Sequence, residues 1–191
     1  MTDTSDDELM LMYRNGDADA FDALFARYNS SVYNFALAML GSGDRAEDVL
    51  QDTFLSVARS ASSYEPRGRF SVWLLRVARN RCLSLLERER LRRQVIVGSS
   101  LDLIDPPSGG PDPAAQAIGD EADEALRSMV AGLPERQRAA IVLYAFEGMT
   151  YKEIARVLEV PLSNVKTLIY RARARLARLY ERQGGEESHG V

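Results

Sequence analysis

The chain has 191 residues, 46% of them hydrophobic and 27% charged, with a formal net charge of −4. Its single cysteine, Cys82, and single histidine, His189, exclude an internal disulfide, a cysteine-based zinc site and most chemistry that depends on a histidine base. No apolar run approaches the roughly 20 residues that cross a bilayer, and the opening MTDTSDDELM is acidic where a secretory signal is basic and then apolar, so a cytoplasmic, non-catalytic protein with no metal, no cofactor and no direct membrane insertion is expected.

SDDELMLMYRNG begins with a capping-box pattern, Ser5 to Glu8, and stops at Asn15-Gly16, which predicts a short first helix. A second helix starts near Asp17. Its apolar positions Phe21, Leu24, Phe25, Tyr28, Val32, Phe35 and Met39 keep spacings of three and four, and Gly41 and Gly43 end it. The third runs from about Asp44 to Ser60 with Val49, Leu50, Phe54, Val57 and Ala58 as its core stripe. SSYEPRGR reads as a loop, and a fourth helix runs from about Phe70 to Arg92, with Cys82 as a buried helix residue. Residues 98–120 hold four prolines and four glycines among acids and small residues, a composition that reads as an extended linker. Helices resume near Asp120, and Leu133-Pro134 places a proline at the start of a helix that ends near Gly148. No stretch alternates as a strand does. The fold class is therefore all-α: helical domains at residues 1–96 and 121–182, a flexible acidic linker at 97–120 and a disordered tail at 183–191.

Charge is laid out in blocks. Residues 1–60 carry a net −7, residues 61–93 +6, residues 94–126 −7 and residues 127–191 +4. Such segregation points to two kinds of partner surface, one of them anionic.

TYKEIARVLEVPLSNVKTLIYRARARL has the anatomy of a DNA-reading helix pair. Thr150 and Glu153 form a capping box for a short helix in which Ile154, Ala155 and Leu158 point inward. Val160-Pro161 breaks that helix, and Ser163 is expected to cap the next. In the second helix Val165, Ile169, Ala172 and Leu176 form one stripe, and Asn164, Thr167, Leu168, Arg171 and Arg175 lie opposite. Amide, hydroxyl, methyl and guanidinium groups on one helix face suit a major groove, and the arginines, with Lys166, suit phosphates. The same pattern also fits a charged helix that merely packs.

Upstream, RGRFSVWLLRVARNRCLSLLERERLRR combines nine basic residues with Phe70 and Trp73, and Tyr64 stands just before it. Arg76, Arg79, Asn80 and Arg81 fall largely outside the apolar stripe. Basic side chains beside a loop aromatic are what a single-stranded nucleic-acid site requires, although a solvated helix has the same composition. On the third helix Asp48, Gln51, Asp52 and Leu55 share a face opposite the core stripe. That face suits either a basic protein partner or simple solubility.

Taken in order, DADAFDALFARYNSSVYNFALAMLGSGDRAEDVLQDTFLSVAR, FSVWLLRVARNRCLSLL and LPERQRAAIVLYAFEGMTYKEIARVLEVPLSNVKTLIYRARARL resemble the landmarks of the extracytoplasmic-function (ECF) sigma factors, the minimal bacterial initiation factors reduced to sigma-2 and sigma-4 domains. The resemblance spans roughly residues 7–93 and 121–180. It implies core RNA polymerase, through its β′ clamp and β subunits, and promoter DNA as partners, and a separate anti-sigma protein as regulator. It places Asp48, Gln51, Asp52 and Leu55 on the β′ clamp coiled coil. Tyr64, Arg67, Arg76, Arg79 and Asn80 fall where the family captures a flipped base of the −10 element and holds the melted strand. Ser163, Asn164, Lys166, Thr167, Leu168, Arg171 and Arg175 fall on the helix that reads the −35 duplex. The acidic linker corresponds to the segment that threads toward the active-site cleft and the RNA exit path.

Two positions depart from the family pattern. Glu159 stands where the turn of the helix pair usually has glycine, and Thr167-Leu168 replaces a common serine-arginine pair, so no family −35 consensus carries over. A free-standing helix-turn-helix regulator is the alternative; it requires a dimer interface or ligand domain that the sequence does not display. For an enzyme, neither a phosphate-binding glycine loop nor a nucleophile–base pair is visible.

Overall fold

The computed structural model describes residues 4–66, 69–97 and 121–187. Arg67, His189 and the predicted linker beyond Val97 lie outside them. By contact density the chain divides into two units, residues 1–36 with 44–104 and residues 37–43 with 105–191. Among the described residues no strand occurs, and no helix is long and apolar enough to cross a membrane.

The first unit is built on α1 (Asp6–Arg14), α2 (Ala18–Leu40) up to residue 36, α3 (Gly43–Ser60) from residue 44, a 3-10 turn at Ala61–Ser63, and α4 (Phe70–Val97). The predicted capping box forms: the Ser5 amide donates to Glu8 at 2.9 Å, and the Glu8 amide donates back to the Ser5 hydroxyl at 3.3 Å. Gly16 follows α1 at φ 100°, a conformation any Cβ would strain. Leu24, Val32 and Phe35 are fully buried on α2, Val49, Phe54 and Val57 on α3, and Phe70, Leu74, Ala78 and Cys82 on α4. Each large side chain so buried contributes about 1.5–3 kcal/mol of transfer free energy before conformational entropy is set against it.

Three core expectations need correction. Phe25 keeps 38% of its surface exposed, with its ring edge-on to Phe54 at 4.8 Å on the rim of the core. Leu50 and Ala58 are only half-buried, and Thr53 takes the inward place instead. A threonine at that position turns its methyl into the core while its hydroxyl comes along.

The second unit comprises α5 (Glu121–Ala131), α6 (Glu135–Ala145), α7 (Tyr151–Leu158) and α8 (Leu162–Glu187). Pro134 caps α6 from extended backbone, and the Arg138 guanidinium reaches back to donate to the carbonyls of Ala131 and Leu133, which end α5. Residues 139–143 are buried in succession, so α6 is the central helix. α8 packs against α5, α6 and α7. It extends to Glu187, past the expected boundary at residue 182, because adding residues to an existing helix is far easier than starting one.

Candidate nucleic-acid interfaces

On α7 the Thr150–Glu153 capping box fixes the first turn, with the Thr150 amide donating to the Glu153 carboxylate at 2.8 Å. The Thr150 hydroxyl, which donates to the same carboxylate at 2.7 Å, and then the amide hold the carboxyl below its usual range. The inward set is Ile154, Val157 and Leu158. Ala155, expected inside, is half-buried, because spacings of three and four from Ile154 select Val157 and Leu158.

The turn is closed by Glu159 at φ 54° and ψ 45°, in the left-handed region. The amides of Glu159 and Val160 both donate to the Ala155 carbonyl, an end that satisfies the last turn of α7. Helix α8 then starts at Leu162, with the Asn164 amide donating to the Pro161 carbonyl at 2.9 Å. Pro161 therefore occupies the cap, and Ser163, expected there, lies inside the first turn. The proline ring supplies the φ that a helix start needs, and its missing N–H costs nothing there.

Val165, Ile169 and Ala172 are buried along one side of α8. Ser163, Asn164, Lys166, Thr167, Arg171 and Arg175 are all exposed. Leu168 is half-buried at the edge of the apolar stripe, so packing accounts for part of a side chain that the sequence left facing a base. The Thr167 hydroxyl donates to the Ser163 carbonyl at 3.2 Å, leaving its oxygen lone pairs and methyl outward. Two features escaped the sequence reading. Tyr170 is 74% exposed one helical turn from Thr167, in the middle of the polar face. Arg173 lies over the Tyr144 ring at 4.9 Å, which ties one arginine of the run to α6. The period of the buried stripe already put Tyr170 outside; only a long-range contact could reveal Arg173.

In the first unit Asp48, Gln51, Asp52 and Leu55 share an exposed face of α3, with half of the Leu55 surface open. Gln51 also lines a groove between α2 and α3, together with Phe25, Asn29, Tyr33, Glu47 and Leu50. On α4, Arg76 and Asn80 are exposed and Arg79 is half-buried, donating to the Asn80 side-chain oxygen at 3.2 Å. Arg81 approaches Asp52 to 3.9 Å, so acidic α3 and basic α4 meet at their shared edge. Such a half-exposed pair contributes little stability, and its partners remain open to other ligands.

Tyr64 is half-buried, edge-on to Phe70 and Trp73 with both centroids at 6.2 Å. Its hydroxyl donates to Asp7 of α1 at 2.6 Å. Burial first, and then the carboxylate, push this phenol well above the ordinary tyrosine range, so it remains a donor throughout neutral pH. Among the described residues no cluster of histidine, cysteine and carboxylates has the arrangement of a metal site.

Known proteins share both units. Residues 24–92 match the family model for Sigma-70 region 2, and residues 123–176 match that for Sigma-70, region 4. The ECF RNA polymerase sigma factor SigM of Mycobacterium tuberculosis is 35% identical over 175 residues, covering 92% of this chain and 84% of that protein. The ECF RNA polymerase sigma factor BldN of Streptomyces coelicolor is 32% identical over 173 residues, 90% of this chain but only 64% of that protein. Among solved structures, CnrH in complex with the cytosolic domain of CnrY matches with a TM-score of 0.71 at 25% identity, over 94% of this chain and 99% of that one.

Proposed function

Given that the chain belongs to the ECF sigma factors of the sigma-70 family, we propose that it binds core RNA polymerase and directs initiation by reading a −35 duplex and capturing a −10 single strand. The observation that carries the reading is α8, where buried Val165, Ile169 and Ala172 stand opposite exposed Asn164, Thr167, Arg171 and Arg175. A helix seated by one stripe and polar on the other can enter a major groove without unfolding its own domain.

The mechanism divides labour by charge. The α3 face of Asp48, Gln51, Asp52 and Leu55 docks on the β′ clamp, and most of the affinity comes from polymerase. Basic surfaces meet DNA only within the assembled complex, which is how a chain of net charge −4 uses a basic reading helix. The −35 contacts come from Ser163, Asn164, Lys166, Thr167, Leu168, Arg171 and Arg175. Arginines at the groove edge neutralise phosphates, while Asn164 and Thr167 face base edges.

At the −10 element Tyr64, Arg67, Arg76, Arg79 and Asn80 hold the melted strand. Binding free energy drives strand separation, and no covalent or hydrolytic step is involved. CnrH is known in complex with the cytosolic domain of CnrY, and a separate anti-sigma protein is the regulator proposed for this chain. Permanganate footprinting of a promoter–holoenzyme complex tests the division. Asn80→Ala should recruit polymerase normally yet melt the −10 region poorly, whereas Arg175→Ala should weaken binding at every step. Melting by Asn80→Ala equal to the parent protein would remove the −10 assignment.

A further inference from the structure

Helix α1 carries none of the surfaces assigned above, yet it is tied to the −10 loop by unusually direct bonds. Its first two residues, Asp6 and Asp7, each accept from a tyrosine elsewhere in the unit. Tyr28 of α2 donates to Asp6 at 2.5 Å, and Tyr64 of the loop donates to Asp7 at 2.6 Å. Both distances are those of hydroxyl-to-carboxylate bonds, about twice as strong as neutral ones. The two phenol rings converge on Phe70, the first residue of α4 and almost wholly buried, with centroids at 5.4 and 6.2 Å. Arg27 donates to Asp6 at 2.5 Å and to the Thr4 carbonyl at 3.0 Å. Leu9 and Met10 bury the other side of α1, and the 3-10 turn just before Tyr64 packs against α1.

We infer that Asp7 is a positioning residue for strand capture: by holding the Tyr64 hydroxyl it fixes the ring against Phe70 and Trp73 and so sets the start of the loop that receives the −10 strand. This rests on the −10 reading above. Without the bond, Tyr64 has only ring contacts to hold it, and its backbone keeps a single turn bond, from its amide to the Ala61 carbonyl at 3.3 Å. Capture of an unstacked base then requires the Tyr64 side chain to be ordered at the moment of binding, a cost that a ring already held in place avoids. The acid contributes no charge that DNA would welcome, which argues against direct contact. Its value lies in geometry.

The test uses holoenzyme assembled from core polymerase and the full chain, on a promoter recovered by selection. Tyr64→Phe keeps the ring and removes the donor; Asp7→Ala removes the acceptor; Asp7→Asn leaves a weaker, neutral acceptor. Tyr28→Phe is the control, since it loses a similar bond while Arg27, Leu9 and Met10 keep α1 seated. Permanganate reactivity at −10 thymines should fall about five- to tenfold in Tyr64→Phe and Asp7→Ala, and less in Asp7→Asn. Affinity for core polymerase should stay at the parent value, and Tyr28→Phe should melt within about twofold of the parent. The Asp7→Ala/Tyr64→Phe double variant should be no worse than Asp7→Ala alone, because that change already removes the Tyr64 bond together with the other interaction of Asp7. Unchanged opening in Asp7→Ala, additive losses, or an equal loss in Tyr28→Phe would overturn the inference while leaving the −10 reading intact. A parent holoenzyme that binds the promoter but melts nothing would remove both.

Discussion

Glu159 closes α7 at φ 54°, the one non-glycine residue at positive φ among the described residues. A Cβ in the left-handed region crowds the following carbonyl and costs about 1–2 kcal/mol. Glycine avoids that strain but loses roughly 0.5–1 kcal/mol through the greater freedom of its unfolded chain. Glu159 makes a further interaction, so comparing glycine with the parent would mix two effects. Alanine separates them, because both substitutions remove the carboxylate and differ only at Cβ. Inside a helix alanine outranks glycine by about 1 kcal/mol; at this position the order should invert, with Glu159→Gly more stable than Glu159→Ala by roughly 0.5–1 kcal/mol. For a unit of this size that corresponds to about 2–8 °C in Tm. Differential scanning calorimetry of the full chain, following the transition of the C-terminal unit, reads the difference directly. An alanine variant as stable as the glycine variant would refute the assignment of strain to this turn.

Further outcomes follow from single sites. The Thr53 hydroxyl is buried with no hydrogen-bond partner, so Thr53→Val, which keeps the shape and removes the orphan, should raise stability by about 1 kcal/mol in urea unfolding. Glu153 has its carboxyl pKa held below the ordinary 4.5 by the Thr150 bonds. Its contribution is therefore complete above that value and is lost as pH falls through the folded-state pKa; Glu153→Gln should lower Tm most at neutral pH and progressively less as pH falls, flattening this part of the acid limb. Arg175→Ala should weaken holoenzyme binding by a similar factor on different promoter sequences and lower the slope of log affinity against log salt by about one.

Local chemistry made much of the fold legible. The Ser5–Glu8 and Thr150–Glu153 boxes and the glycines after α1 and α2 act within a few residues and appear where the sequence puts them; the stripes on α2 and α8 hold except at Phe25, which is exposed, and at Phe21, Tyr28 and Leu176, which are half-buried. What was missed depends on distant partners. The Tyr64–Asp7 bond joins residues 57 positions apart, and Tyr144 finds Arg173 only after α6 and α8 pack. Ser163 was assigned the cap by residue type, yet Pro161 takes it because its ring fixes the backbone two residues earlier. At Glu159 the sequence marked a departure from glycine; its backbone angle required the structure. The site residues on α3 and α8 were legible as faces because exposure follows helical period, whereas Tyr64 was read as an open loop aromatic and is half-buried.

The central claim is tested most directly by run-off transcription with purified core polymerase, with and without this protein, on templates with randomised −35 and −10 sequences. The account predicts transcripts that depend on the protein and are enriched for one −35 and one −10 element. No protein-dependent transcript and no binding to core polymerase, together with a shift of duplex DNA by the protein alone, would contradict it.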